Sequence, residues 1–351
     1  MLQKVKGQIL YLFNENQGLV YRNLSFYIID LQYYRLQYVT QFPVGGLKKM
    51  LCSCRWTNRL LRMEPKCVGV LPGNEFLISI FDGLWVLNIN EGIIKKVQDV
   101  RDGFSQVLNF CEYGSNIYWG DYGVNSKRDA VNIYKMDSTH KIESIHQFAA
   151  GSVRHIHNVI NDTENDCFWV LVGDNEPMAG IYKANRDWSE VRPYKTGLQK
   201  YRAVVGFAHK GGLIYATDSV EHDNYLRFID NDGTEKVLAD INGSCIYGCE
   251  TKDYYIFSTT VEPHEGSGFL HKFENRLGGG IKSWYVHVIA VSKKDLSVRI
   301  VKKLRKDWLP MVLFQYGRVK FAGGQCNNAD YVWGTPVACC KHDGKTIKIE
   351  F

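Results

Sequence analysis

The chain has 351 residues, 45% hydrophobic and 13% aromatic, and its 43 basic residues exceed its 37 acidic ones for a net charge of +6. The positive excess lies in short groups such as Lys48-Lys49 and Lys302-Lys303, which is typical of solvated strand edges and does not favour a nucleic-acid-binding surface. No run of about 18 apolar residues occurs, so we expect no membrane span.

Ten cysteines are scattered along the chain. Several, such as Cys167, fall within apolar runs, where a free cysteine packs as a small hydrophobic side chain. They form no pair of C-x-x-C units, so a structural zinc site of that kind is not expected. Residues 1–7 hold no apolar segment of the kind that begins a secretory signal. We therefore expect a cytoplasmic protein with free thiols.

The first predicted elements are four short strands rich in β-branched and aromatic residues. They cover residues 9–13, 19–21, 26–29 and 36–40. Residues 43–66 follow, and we predict that they form a helical or irregular insertion before the strand pattern resumes.

From Val68 onwards, one pattern recurs six times: an apolar strand, an aromatic-rich strand with a small or acidic end, and a third strand. The aromatic-rich strands begin about 40 to 64 residues apart, the range of propeller blades once one insertion is allowed. They cover residues 76–83, 116–121, 168–174, 213–218, 254–259 and 318–323. The apolar strands before them cover residues 68–70, 107–110, 155–160, 203–207, 245–249 and 311–314. The third strands cover residues 84–87, 131–134, 180–183, 225–229, 286–291 and 337–340.

A turn and a fourth strand complete each unit, as where residues 231–234 lead into Val237. Six such units and the N-terminal four strands predict an all-β fold. We predict a single β-propeller domain over residues 1–351, with seven blades of four antiparallel strands and six blades as the alternative. Residues 345–349 either complete the last blade or pair with the first. A pair of β-sandwiches is the rival fold, but it does not explain the regular recurrence.

Polar residues concentrate on one predicted face of this propeller. The start of a blade's first strand shares that face with the loop between its second and third strands, and such loops commonly carry function. Strand starts contribute Arg154, His155, His157, Tyr201 and Arg202. The loops contribute Asp121, Tyr122, Asp174, Glu176, Asp218 and His222.

This mixture of side chains suits acid–base chemistry on a sugar acid, because arginine can hold a carboxylate and carboxylates can accept bonds from hydroxyls. Each group also has a structural explanation. The histidines can bond to backbone in the channel wall, the aspartates can cap turns, and the tyrosines can pack at the rim. What favours a functional site is that these side chains are predicted to lie together on one face.

Several motifs resemble the sialidase-like, BNR-repeat β-propellers, a family linked to bacterial surface polysaccharides. The motifs lie at residues 119–122, 132–135, 154–157, 173–174, 199–204 and 215–218, and the resemblance covers roughly residues 68–240. The Asp-box of true sialidases survives only in decayed form, at residues 185–188 and 230–234. Sialidases also need three convergent arginines, for which Arg154 and Arg202 are well placed and Arg128 is the remaining choice. The resemblance therefore implies a carbohydrate-active propeller without implying sialidase activity.

The functional prediction is an enzyme that acts on an anionic glycan. Catalytic roles are predicted for His155, His157, Asp121, Tyr122, Asp174 and Asp218, and substrate-binding roles for Arg154, Glu176, Tyr201, Arg202 and His222. In a hydrolase, two of the aspartates supply the acid and the base or nucleophile. In a uronate lyase, a histidine removes the proton next to the carboxylate, a tyrosine protonates the leaving oxygen and an arginine neutralises the carboxylate.

The alternative function is a non-catalytic propeller that binds a glycan or a protein. No organic cofactor is expected. A divalent metal is an open possibility, because His155, His157 and a nearby aspartate are a competent ligand set. The expected ligand is a glycan or sugar acid rather than nucleic acid.

Overall fold

The computed structural model describes residues 3–173, 175–325, 328 and 330–351. Its strands form seven four-stranded antiparallel sheets, and the fold is a seven-bladed β-propeller. The predicted all-β class and the seven blades are confirmed, and the alternative of six blades is wrong. The extent of the single domain stays a prediction. None of the helices in the described ranges is long and apolar enough to cross a membrane.

The first half of the chain supplies three blades and two helices. A short strand, β1 (Lys4–Lys6), precedes the first blade, which consists of β2 (Gln8–Asn14), β3 (Gln17–Arg22), β4 (Ser25–Asp30) and β5 (Arg35–Gln41). The segment predicted as an insertion carries two short helices, α1 (Gly46–Ser53) and α2 (Arg55–Leu60). The second blade consists of β6 (Cys67–Leu71), β7 (Glu75–Ile80), β8 (Gly83–Asn88) and β9 (Ile93–Asp99). The third consists of β10 (Cys111–Tyr113), β11 (Asn116–Gly120), β12 (Val131–Met136) and β13 (Ile142–Phe148).

Three more blades follow in the same order. The fourth consists of β14 (Ile156–Asp162), β15 (Cys167–Val172), β16 (Gly180–Asn185) and β17 (Val191–Thr196). After a 3-10 turn at Gln199–Tyr201, the fifth consists of β18 (Ala203–His209), β19 (Gly212–Thr217), β20 (Asn224–Asp230) and β21 (Glu235–Ile241). The sixth consists of β22 (Cys245–Glu250), β23 (Tyr254–Thr259), β24 (Tyr285–Ser292) and β25 (Val298–Arg305), with a 3-10 turn at Leu270–Phe273 between β23 and β24.

The last blade joins the two ends of the described chain. After the short helix α3 (Met311–Phe314), it consists of β26 (Arg318–Phe321), β27 (Tyr331–Val337), β28 (Lys345–Glu350) and β1. Strand β1 lies antiparallel to β28, with Val5 opposite Thr346. The C-terminal strand therefore completes the last blade, where it pairs with β27 and with the N-terminal strand β1.

Burial within a blade explains the sequence pattern of its strands. Strand β15 is apolar throughout and is buried over its last five residues, whereas every position of β17, at the outer edge, is exposed or half-buried. The outer strand also contains Pro193, which cannot donate to a ladder and is tolerated at an edge.

Two compact units can be distinguished by their internal packing. One comprises residues 65–217 and 228–236, and the other comprises the described residues of 1–64, 218–227 and 237–351. In the first unit, Trp169, Leu171, Ile181 and Tyr215 form one of the buried clusters. Its Trp169 is fully buried and donates from Nε1 to Asp162 over 2.9 Å.

Candidate active site

Two histidines lie side by side at the start of β14, where the sequence places them. His155 immediately precedes the strand and His157 is its second residue, and both are only 2% exposed. Their Nε2 atoms are 2.8 Å apart. The Nδ1 atom of His155 bonds to the carbonyl of Gly123, and that of His157 bonds to the carbonyl of Ala203 over 2.8 Å.

The hydrogen bonds of this imidazole pair define its proton content. A carbonyl oxygen can only accept, so each Nδ1 atom carries a proton, and the bond between the two Nε2 atoms needs a third. Two neutral imidazoles hold two protons, so all three bonds together need one proton more than the neutral pair has. The geometry therefore has a place for one proton shared between the two rings.

Tyr122 completes an aromatic cluster with these rings. Its ring centroid lies 4.7 Å from that of His155 and 6.1 Å from that of His157, and the residue is half-buried. The next residue, Gly123, has φ +154°, and a Cβ there would lie 2.7 Å from the backbone nitrogen of Ser105. A glycine is therefore required where the backbone passes close to Ser105 and presents its carbonyl to His155.

Arg154, which directly precedes His155, is hydrogen-bonded to the loop that carries Tyr122. Its Nε atom donates to the carbonyl of Val124 over 2.9 Å, and its own carbonyl accepts a bond of 2.9 Å from Asn125. The residue as a whole is half-buried. A cation is therefore fixed within one residue of the imidazole pair.

Asp121 has the contacts of a strand-end cap. It is buried, accepts a 2.9 Å bond from the backbone of Asn132, and pairs with Arg101 at 3.0 Å. Burial raises the pKa of the Asp121 carboxyl, while the bond from Asn132 and the charge of Arg101 counteract part of that rise. These contacts favour the structural explanation for this residue, and its catalytic role stays a prediction.

Tyr201 and Glu176 are also engaged in local contacts. The hydroxyl of Tyr201 donates to Glu235 over 2.6 Å, and burial raises the pKa of that phenol. Glu176 accepts a 2.7 Å bond from the backbone of Gln199. Both residues therefore stabilise the 3-10 turn before β18. Arg202 follows that turn directly and is half-buried, and its neighbour Ala203 holds His157.

Three more residues were predicted for the site. Asp218 is buried and His222 is exposed, and both belong to the second compact unit. Asp174 lies outside the described residues. Contacts within the described ranges therefore bring together His155, His157, Tyr122 and Arg154.

Two asparagines contribute to the site without having been predicted. Asn109 donates from its side chain to the carbonyl of His157 over 3.1 Å, and Asn125 makes the bond to Arg154. They fix the backbone on both sides of His155. Isolated loop asparagines carry no sequence signal for such a role, because their partners are 48 and 29 residues away.

Close packing between β11 and β14 sets the position of the pair, which leads to a stability prediction. A Cβ on Gly120 would overlap the side chain of Ile156, the residue between the two histidines. We expect Gly120→Ala to lower the free energy of unfolding by about 1–3 kcal/mol. Denaturant unfolding measures this. Gly46→Ala is the matched control, since nothing lies within 4 Å of its added methyl group. Equal stability of both variants would contradict the tight contact.

Comparison with known proteins gives fold relatives only. No family model matches the chain, and no curated protein matches its sequence. The solved structure of an oligogalacturonate lyase from Vibrio parahaemolyticus is 10% identical, with a TM-score of 0.58 over 99% of this chain and 91% of that one. An oligogalacturonate lyase in complex with manganese is 9% identical, with a TM-score of 0.56 over 99% and 90%. A chain of the mitotic checkpoint complex is 7% identical, with a TM-score of 0.56 over 100% and 93%.

Such low identities establish a shared β-propeller fold and nothing finer. Propellers with this fold serve unrelated purposes, so the site must carry any functional argument. The resemblance to sialidase-like propellers stays a prediction.

Proposed function

We propose that the chain is a carbohydrate-active propeller that cleaves an anionic glycan by elimination at a uronate. The observation that carries this proposal is the buried imidazole pair, whose outer nitrogens are fixed by backbone carbonyls and whose inner nitrogens face each other. Such a pair can take up one proton and share it. Tyr122 on the loop between β11 and β12 supplies a hydroxyl, and Arg154, which directly precedes His155, supplies a cation.

The proposed elimination assigns one step to each group. An Nε2 atom of the pair removes the proton on the sugar carbon next to the carboxylate, and the electrons of that C–H bond form a carbon–carbon double bond. The neighbouring C–O bond to the next sugar breaks, and the Tyr122 hydroxyl gives its proton to the departing oxygen. Arg154 or Arg202 neutralises the carboxylate while negative charge builds up beside it. The products are an unsaturated uronate and a shortened glycan.

The contacts favour this lyase over a hydrolase. A glycosidase needs two carboxyl groups about 5 to 9.5 Å apart across the scissile bond. Asp121 is already engaged by Arg101 and Asn132. Of the two tyrosines considered for proton donation, Tyr122 lies at the pair, with its ring centroid 4.7 Å from that of His155 at a tilt of 49°. Two fold relatives are oligogalacturonate lyases, which process a uronate.

A divalent metal at the imidazole pair is a weaker proposal. One fold relative is a complex with manganese, and the carbonyl bonds at both Nδ1 atoms are of the kind that orient metal-binding histidines. However, the described residues bring no third metal-ligating side chain to this pair, so we assign no step to a metal.

The test is a panel of acidic polysaccharides and oligosaccharides, including oligogalacturonate. We expect ultraviolet absorbance from an unsaturated uronate to rise together with new reducing ends. Reducing ends without that absorbance would replace the lyase with a hydrolase. Binding without cleavage of any glycan would support the alternative, a non-catalytic propeller. A chain of the mitotic checkpoint complex shares this fold.

A further inference from the structure

A second cluster of histidines lies in the long connection between β23 and β24, which spans residues 260–284. The two arms of this connection run antiparallel. The backbone nitrogen of His264 donates to the carbonyl of Arg276 over 3.0 Å, and Pro263 is bridged to Leu277. Glu221 fixes the base of the connection by accepting backbone bonds from Glu265 at 2.6 Å and Gly279 at 2.9 Å.

Three side chains converge between these arms: His264, His271 and Glu274. Their ligand atoms all lie within 4.8 Å of one another, and theirs is the one such group of three or more metal-ligating side chains within the described ranges. The Nε2 atom of His264 is 2.8 Å from a carboxylate oxygen of Glu274, and Nδ1 of His271 is 3.7 Å from the same oxygen. Three ligands of a tetrahedral zinc ion lie about 3.4 Å from one another, so small side-chain shifts would complete the arrangement.

The two histidines differ in a way that suits metal binding. The Nδ1 atom of His264 bonds to the carbonyl of Glu265 over 3.0 Å, which orients the ring and leaves Nε2 as its ligand atom. This backbone support is the usual arrangement around metal-binding histidines. The Nδ1 atom of His271 is buried and has no hydrogen bond to any described residue. A buried polar atom that faces a carboxylate without a bond needs a partner.

Apolar packing anchors the base of this connection but not its tip. Val261 and Ile281, near its two ends, belong to a buried hydrophobic cluster. At the tip, no residue of the 3-10 turn Leu270–Phe273 is buried, and Phe269 and Leu270 are 71% and 76% exposed. A segment without apolar packing usually depends on another source of stability, and a bound metal is a common one in small structures.

We infer that His264, His271 and Glu274 bind one divalent transition-metal ion, which cross-links the two arms of the connection. Two imidazoles favour a metal such as zinc over calcium or magnesium, which prefer oxygen ligands. Three protein ligands leave a fourth position for water or a ligand. This site is separate from the imidazole pair of His155 and His157, and it does not depend on the proposed lyase activity.

The test is titration of the full-length, chelator-treated protein with Zn²⁺, followed by calorimetry. We expect one tight site in the wild type and a Kd raised by about 100-fold or more in His271→Gln and in His264→Gln. Zinc should also slow proteolysis within residues 260–284 in the wild type and not in these variants. The variant His146→Gln, with a substitution on outer strand β13, should behave as the wild type.

Three outcomes would overturn the inference. Equal zinc binding by every variant would show that other groups, such as the free cysteines, bind the metal. Loss of binding in a His155→Gln/His157→Gln double variant, with both His264 and His271 variants unaffected, would move it to the imidazole pair. Absence of stoichiometric binding in the wild type would leave His264 and Glu274 as a surface ion pair only.

Discussion

A His157→Gln variant is expected to form unsaturated uronate about 10²- to 10⁴-fold more slowly than the wild type, the range over which general bases contribute. Glutamine can still donate a hydrogen bond to the carbonyl of Ala203, which His157 contacts over 2.8 Å. It cannot take up a proton. Packing is therefore largely kept while the base is removed. The measurement is the initial rate of ultraviolet absorbance on whichever glycan the wild type cleaves.

The partner histidine provides an internal check on this prediction. Because the Nε2 atoms are bonded to each other, His155→Gln should lose nearly as much activity, and the double variant should be little worse than either single one. The variant His146→Gln is the matched control, since that ring packs against Phe148 on an outer strand. Wild-type rates in both single variants, with folding intact, would remove the pair from the mechanism.

The sequence predicted most of the fold because strand composition and spacing are local properties. In the first blade, the predicted strands lie within β2 to β5. The prediction failed where other constraints act. Residues 311–314 were predicted as a strand but form α3 after Pro310, and 337–340 were predicted as a strand although β27 ends at Val337. The last blade therefore begins one predicted strand later, at β26.

A similar error affects the third blade. Residues 107–110 were predicted as its first strand, but β10 begins at Cys111 and covers three residues. The apolar run at 107–110 packs without joining a ladder, since Val107 and Leu108 are buried. Apolar composition alone cannot distinguish such a segment from a strand.

The sequence predicted that His155 and His157 point the same way, but it did not predict the atoms to which they bond. Alternation along a strand indicated that His155 and His157 point the same way, and their Nε2 atoms do meet. The carbonyls that fix them come from residues 32 and 46 positions away. Tertiary packing chooses those partners, so no local pattern contains them. The same holds for the Arg101 contact that engages Asp121.

The largest stability effect is expected at Arg59, in the helical segment before the second blade. This guanidinium is 1% exposed; it pairs with Asp307, lies 3.4 Å from Asp343, and donates to the carbonyl of Phe314 over 2.7 Å. Arg59→Ala removes one partner of a buried ion pair and takes away the bond that its Nε atom donates to the carbonyl of Phe314. Such a loss costs about 3–5 kcal/mol. The lower end is expected, because Lys306 also pairs with Asp307.

Urea unfolding followed by tryptophan fluorescence measures this loss, since Trp56 lies on the same helix as Arg59 and its ring is 6.3 Å from that of Trp308. The matched control is Arg62→Ala, which removes an exposed arginine that donates to the carbonyl of Val312. We expect that control to change stability by no more than about 0.5 kcal/mol. Equal losses in the two variants would show that the buried ion pair contributes nothing beyond an exposed contact.

The acid dependence of stability tests the same ion pair independently. Burial opposes ionisation of Asp307, but the hydrogen bonds from Arg59 and Lys306 outweigh it and lower the pKa of its carboxyl. A lowered folded-state pKa stabilises the protein above the unfolded-state value of about 3.9, and this contribution is lost as the pH falls through the folded-state value. Part of the stability of the wild type should therefore disappear below about pH 4. Without Arg59, the pKa of the Asp307 carboxyl is lowered less. The stability difference between the wild type and Arg59→Ala should therefore narrow as the pH falls. A constant difference between pH 7 and pH 3 would show that the lost packing of Arg59, rather than its charge, accounts for the destabilisation.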